Sequence, residues 1–211
     1  MRLTVALLGA ESTGKSTLAQ GLAETLRDEG HHVALVAEYL REFCDAQGRT
    51  PQQHEQAGIA TEQTQRIRLA ASAHDIVVAD TTALMIAIYS EYVFGDTTLY
   101  DSALAALKDC DLVLLTALDL PWQPDGLQRD GPHVRPAVQA LLRSALARSG
   151  TPYAVVSGLG EARLRSALQA VRHALRAPAA WDETQTAPRW QWLCERCSDG
   201  DCERHARLLP R

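Results

Sequence analysis

The stretch "GAESTGKST", residues 9–17, concentrates glycine, hydroxyl and lysine in one short loop. Gly9, Gly14, Lys15 and Ser16 satisfy the pattern G-x-x-x-x-G-K-[ST] in full, between an apolar run and a segment of helical period. The glycines allow main-chain N–H groups to curl around a phosphate where a side chain would obstruct the turn. Lys15 is placed to reach the β- and γ-oxygens of ATP, and the Ser16 hydroxyl to ligate Mg²⁺. The helix that follows points its positive end at the same anion. Gly9, Glu11, Ser12, Thr13, Gly14, Lys15, Ser16 and Thr17 form the expected nucleotide-binding set. A chance match is expected in about one chain of this size per hundred. The motif alone leaves open whether the nucleotide is a switch, a power source or a phosphoryl donor.

A donor needs an acceptor, and two clusters could serve one. Asp80 closes the apolar run Ile76-Val77-Val78-Ala79, where a carboxylate holds Mg²⁺ directly or through water. The plainer reading is that Asp80 caps the next helix, which Thr81 or Thr82 could do as well. Glu38 closes a second apolar run and is followed by Tyr39, Arg41 and Glu42. A carboxylate there can take the proton of a hydroxyl attacking the γ-phosphate. Tyr39 could stack on a planar ring and Arg41 could fix a sugar or phosphate oxygen, or the whole cluster could be a solvated loop. Residues 119–135 mix turn formers with Asp125, Arg129, His133 and Arg135. Such a segment reads as a lid that excludes water and brings guanidinium charge to the transferring phosphoryl group. Its plain alternative is a polar surface loop.

These residues require a scaffold, and the pattern supplies one. Apolar runs at 3–9, 32–38, 75–80, 111–116 and 151–158 alternate with helical segments, including 15–30, one from Pro51 to about Ser72, and 159–176. The stretch "YLREFCDAQGRT" between them reads as a loop. Short continuous apolar strands alternating with helices predict a five-stranded parallel sheet with helices on both faces, a three-layer α/β sandwich. In open parallel sheets ligands bind beyond the carboxyl ends of the strands, where Gly9, Glu38 and Asp80 all fall. The core is expected over 1–177, with a tail over 178–211 that carries Trp181, Trp190 and Trp192.

The chain has 211 residues, 46% hydrophobic and 22% charged, with formal net charge -5. A mildly acidic chain lacks a broad positive surface for non-specific nucleic-acid binding. No apolar run approaches the roughly 20 residues that span a bilayer. Five cysteines without an export signal predict a reducing, cytoplasmic setting. In the tail, Cys194, Cys197, Cys202 and His205 are spaced C-x2-C-x4-C-x2-H. Thiolates and an imidazole in that number suit a tetrahedral Zn²⁺ site; otherwise this is a flexible acidic tail with reducible cysteines.

"GAESTGKSTL", "EYLREF" (38–43), "DTTALMIAIY" (80–89) and "DGLQRDG" (125–131) occur in an order that resembles the ribosylnicotinamide kinase domain of bacterial bifunctional nicotinamide-nucleotide adenylyltransferase/kinase regulators. The resemblance covers about residues 3–175, nearly the whole of the expected core. It implies a P-loop kinase fold related to nucleoside and nucleotide monophosphate kinases. Stand-alone chains of this type go under an AAA-type ATP-binding description. It further implies MgATP-dependent transfer of the γ-phosphoryl group to the 5′-hydroxyl of nicotinamide riboside, a step of NAD biosynthesis. Carried over by position, Lys15 and Ser16 hold ATP and Mg²⁺, Glu38 and Asp80 flank the reacting hydroxyl, and Arg129 belongs to the lid. Tyr39, Arg41, Glu42 and Asp125 fall to the substrate side. Glu38 is the favoured base and Asp80 the metal ligand, because the strand carrying Asp80 should lie nearest the P-loop. The P-loop begins at residue 9, so kinase activity alone is expected, without the adenylyltransferase or the DNA-binding segment. The alternative reading is a nucleotide-dependent switch or ATPase whose Cys-rich tail binds a partner.

Overall fold

β1 (Leu3–Leu8), α1 (Lys15–Asp28) and β2 (Val33–Val36) open the chain; α2 (Tyr39–Gln47), a 3-10 turn (Gln53–Glu55) and α3 (Gln56–Ala73) follow. β3 (Ile76–Asp80), α4 (Ala83–Phe94), α5 (Tyr100–Leu107) and β4 (Leu112–Thr116) come next, then α6 (Val134–Ser149), β5 (Ala154–Val156) and α7 (Gly160–Arg176). These elements come from a computed structural model that describes residues 2–123 and 131–176. Asp125 and Arg129 of the expected lid, and the whole candidate zinc set Cys194, Cys197, Cys202 and His205, lie outside the described residues.

All five strands run parallel in the order β2-β3-β1-β4-β5. Strand alternation sends Leu3, Val5 and Leu7 of β1 to one face, against Leu18, Leu22 and Leu26 of α1 and Val171 of α7. Ala6 and Leu8 face the other way, against Leu84 and Ile88 of α4 and Val138 and Leu142 of α6. Burying a strand on both faces explains why its six residues read as one apolar run. The helix α4 is apolar on nearly every side because α3, α5 and α6 all pack on it. The result is the three-layer α/β P-loop kinase fold that the alternation of runs predicts. β3 is the direct neighbour of β1, with Leu7 opposite Asp80, while β2 lies one strand further out.

Two elements depart from expectation. The stretch after β2 is not a loop: Tyr39–Gln47 forms α2, ended by Gly48 in the left-handed conformation at φ 65°. Leu40, Phe43 and Cys44 carry the i, i+3, i+4 pattern of a short amphipathic helix, but the interleaved charges hide it. The segment at Pro51 begins as the 3-10 turn, and α3 proper starts at Gln56.

Among the described residues, no helix is long and apolar enough to cross a membrane.

Candidate active site

The loop between β1 and α1 is shaped by two glycines. At Gly9, φ 151°, a Cβ would stand 2.0 Å from Thr116 Oγ1, so the loop can enter only without a side chain. Gly14 takes the left-handed conformation (φ 74°, ψ 23°) at the mouth of α1. Thr13 Oγ1 donates to Ala10 O at 2.8 Å and accepts from Thr116 Oγ1 at 2.7 Å, and both threonines are fully buried. Lys15 Nζ reaches back across the turn and donates to the carbonyls of Gly9 and Ala10, each at 2.9 Å. The ammonium is therefore held over the concavity where the motif places a phosphate. Ser16 and Thr17 lie exposed on the first turn of α1.

Helices and strand ends far apart in sequence brace this loop. Gln139 of α6 accepts from Ala10 N at 3.3 Å and donates to Thr116 O at 3.1 Å. Arg163 of α7, 4% exposed, donates to the carbonyls of Thr13 (2.8 Å), Gly158 (2.9 Å) and Ala117 (3.3 Å) and to Asp119 Oδ1 (2.7 Å). Asp119 also accepts from Gly158 N at 2.6 Å. Burial alone would raise the Asp119 carboxyl, but the Arg163 hydrogen bond and the Gly158 N–H outweigh it and hold the group below its usual range.

The described part of the expected lid is seated on the P-loop. Trp122 Nε1 donates to Glu11 Oε1 at 2.8 Å, and Gln123 N donates to Ser12 Oγ at 2.8 Å. A Cβ on Gly14 would meet Leu120 Cδ1 at 2.8 Å. Leu120 O in turn accepts from Arg135 Nη1 at 2.9 Å. Arg135 is 7% exposed, yet its Nε and Nη2 have no hydrogen-bond partner, which is costly for a guanidinium unless an anion completes it.

At the end of β3 the capping question is decided. Thr82 caps α4, its Oγ1 accepting from Leu84 N at 3.3 Å. Asp80 is released from that duty: it is 5% exposed and its Oδ1 is buried without a partner. Thr81 between them has φ 79°, a left-handed conformation that strains a β-branched residue. An orphaned carboxylate oxygen beside the P-loop suits Mg²⁺, which binds through one or two protein oxygens plus phosphates. Among the described residues no three His, Cys, Asp or Glu side chains converge on a metal-sized point.

A cleft of about 490 Å³ runs from Glu11, Ser12 and Lys15 to Glu38, Arg41 and Thr81, and on to an apolar end with Met85, Tyr89 and Phe94. Glu38 is the N-cap residue of α2, and its Oε2 accepts from Arg41 Nε at 2.9 Å. The helical phase of α2 sends Leu40, Arg41 and Cys44 to the cleft but turns Tyr39 and Glu42 toward α3. There Arg66 lies 4.4 Å over the Tyr39 ring and donates to both Glu42 oxygens at 2.7 Å. The structure thus gathers Lys15, Glu38 and Arg41 around one space, while Tyr39, Glu42, Ser16 and Asp80, the last next in sequence to the lining residue Thr81, do not line it. Burial, then the charges of Asp45 and Glu38, raise the Cys44 thiol above its ordinary range.

Several residues of the site are visible only in three dimensions. Gln63 of α3 is fully buried; it accepts from Tyr39 N at 2.7 Å and donates to Ala37 O and Thr81 O, each at 3.3 Å. One amide therefore ties the chain around Glu38 to the chain beside Asp80. Arg49 makes two 2.7 Å bonds to Glu55, which also accepts from Gln52 N at 2.7 Å, fixing the rim of the cleft. Arg49 first, then the Gln52 N–H, lowers the Glu55 carboxyl to about 2. Gln63, Gln139 and Arg163 each stand in the phase of a buried helical stripe, where a polar residue signals a buried network.

A family described as an AAA domain matches residues 4–163. No curated protein matches the chain. Among solved structures, the NadR protein in complex with NAD and AMP-PNP is similar at TM-score 0.67 and 21% identity, covering 85% of this chain and 51% of that one. The NadR protein in complex with NR gives the same TM-score and identity, with 85% and 52% covered. Thymidylate kinase from Ehrlichia chaffeensis is similar at TM-score 0.57 and 15% identity, covering 82% of this chain and 98% of that one. The chain thus spans about half the length of the NadR structures, and at these identities the likeness carries the fold. With the AAA-domain match spanning three quarters of its length and a complete P-loop in place, the chain belongs to the AAA-domain family, on a P-loop kinase fold.

Proposed function

We propose that this protein is a MgATP-dependent small-molecule kinase that transfers the γ-phosphoryl group to the 5′-hydroxyl of a nucleoside, nicotinamide riboside first among them. The observation that carries this reading is the single cleft joining Lys15 of the P-loop to Glu38 beyond β2. A switch or motor needs no acceptor space beside its phosphates; a kinase does. The NadR complex with NR supports the choice of riboside, as does the sequence resemblance.

In this reading the P-loop N–H groups and Lys15 bind the triphosphate, the ammonium exchanging its two carbonyl partners for phosphate oxygens. Mg²⁺, held by Ser16 and Asp80, would neutralise charge on the β- and γ-phosphates and orient them. Glu38, directed by Arg41, takes the proton from the riboside hydroxyl as its oxygen bonds to phosphorus and the bridge to ADP breaks. Arg135, with two unpaired donors beside Leu120 and Gly14, supplies cationic charge to the phosphates from the base of the lid. Arg129 and Asp125 would act from the lid itself. Excluding water matters because water is the competing acceptor.

The test is a panel of ribosides with MgATP, the product identified by mass spectrometry. ADP formation that depends on nicotinamide riboside, with phosphate on the sugar, is the expected result. Equal ADP formation with and without any riboside would remove the basis for the proposal.

A further inference from the structure

The first turn of α3 sends one more side chain into the cleft. Gln56 is 5% exposed, and it lines the cleft together with Met85 and Tyr89 of α4. It shares the buried stripe of α3 with Ile59, Ala60, Gln63 and Ile67. The two buried glutamines of that stripe differ sharply. Gln63 uses its amide fully, accepting once and donating twice. Gln56 has its main-chain N–H on Gln53 O, but its side-chain amide makes no hydrogen bond among the described residues. The amide atoms of Gln56 are not among the buried unpaired ones, so they open onto the cleft that Gln56 lines and can pair with what the cleft holds. The cleft is the space from which a partner can come.

The surroundings limit its chemistry. Of the cationic side chains that line the cleft, Lys15 is held at the P-loop by the Gly9 and Ala10 carbonyls, Arg41 is matched to Glu38, and Arg49, through two bonds, to Glu55. Met85, Tyr89, Val93 and Phe94 give an apolar and aromatic wall suited to a planar ring. A neutral carboxamide carries a donor and an acceptor side by side, so it pairs best with an edge that offers the complementary acceptor and donor. A carboxylate offers acceptors only. It would leave the Gln56 carbonyl facing an anion, with no free cation among Arg41 and Arg49 to compensate.

We infer that Gln56 is the specificity-determining residue of the acceptor pocket. It reads a neutral amide or lactam edge on the acceptor's base and discriminates against the corresponding carboxylate. The inference rests on the riboside-kinase reading for the nature of the acceptor, but the pairing itself is a property of the pocket.

The experiment compares nicotinamide riboside (carboxamide), nicotinic acid riboside (carboxylate) and uridine (lactam) as acceptors for the full chain and its Gln56→Leu variant. Binding of each riboside is measured in parallel by calorimetry on protein saturated with a non-hydrolysable ATP analogue. The native chain should favour the neutral edges over the carboxylate by about tenfold or more. Whether the carboxamide or the lactam is taken separates the two sources of that edge. In Gln56→Leu the KM for the preferred riboside should rise by about tenfold, and the amide-to-acid ratio should collapse toward one. An unchanged ratio in Gln56→Leu, with ATP-analogue affinity intact, overturns the inference while leaving the kinase reading standing. If no riboside is phosphorylated, the kinase reading fails, and the calorimetry decides Gln56 by itself. Neutral-edge binding that the variant loses upholds the inference; equal binding of amide and acid by the native chain overturns it. Gln56→Asn, which keeps the amide on a shorter stem, should restore part of the ratio that leucine abolishes. A variant that fails to bind the ATP analogue is replaced by Gln56→Met, judged by the same ratio.

Discussion

Arg163, at the start of α7, donates through Nη2 to the carbonyl of Thr13 in the middle of the P-loop, 2.8 Å away across 150 residues of sequence. Its Nη1 holds Asp119 at the exit of β4. The shape of the phosphate loop is thus maintained from the last helix of the fold.

Removing that guanidinium leaves the Thr13 carbonyl and the Asp119 carboxylate without their main partner. Arg163→Met is expected to cost about 2–3 kcal/mol of stability and to weaken ATP binding, while the riboside KM changes little. Thermal melts and nucleotide titration check this. Unchanged ATP affinity in a folded variant would mean that the brace is structural only.

Gln63 ties the main chain on either side of Glu38 to Thr81 beside Asp80. Gln63→Leu leaves Tyr39 N and the Thr81 carbonyl unpaired in the core, for about 2–4 kcal/mol. The turnover number should fall more than KM rises, because the two carboxylates lose their mutual position. Steady-state kinetics on the folded fraction separates the two effects.

The fold was legible in the sequence because the signals were long and periodic. A P-loop between a strand and a helix, and four further apolar runs, led to the observed parallel sheet. α2 was not legible, because its apolar positions Leu40, Phe43 and Cys44 are interleaved with charge and its stop signal, Gly48, lies beyond them. Of the candidate site, Lys15 was readable from the P-loop motif, Asp80 and Glu38 from their places at or just past the ends of apolar runs, and Arg41 from the cluster that follows Glu38. Gln56, Gln63 and Arg163 were not read, although each breaks a buried helical stripe with a polar group. Recognising the role of Gln63 and Arg163 needs their partners, which come from elements 18 to 150 residues away, and that of Gln56 needs the cleft it lines. The turning of Tyr39 and Glu42 toward Arg66 likewise depends on the helix that the charges concealed.

The rim pair Arg49–Glu55 gives a pH dependence with a definite sign. The folded Glu55 pKa is lowered from 4.5 to about 2. Its contribution is therefore fully present above pH 4.5 and is lost as the pH falls from there toward about 2. Acid titration of the native chain against Glu55→Gln should show the native chain losing its advantage in that window. Parallel curves for the two proteins would contradict the assignment.

Glu38 and Asp80 have separable roles in the proposed mechanism. Glu38→Gln should lower turnover by about 100-fold or more with ATP affinity kept, since it removes the proton acceptor. Asp80→Asn should instead raise the Mg²⁺ concentration needed for half-maximal rate. Kinetics at varied Mg²⁺ distinguishes them, and an identical Mg²⁺ profile for Asp80→Asn and the native chain would remove Asp80 from the metal.

The central claim is phosphoryl transfer to an acceptor seated between Lys15 and Glu38. Its most direct test is mass spectrometry of nicotinamide riboside incubated with MgATP and the native chain, with Lys15→Ala as the control. A riboside 5′-phosphate should form in step with ADP in the native chain, and none with Lys15→Ala. ADP released at the same rate with the riboside left unmodified would contradict the claim.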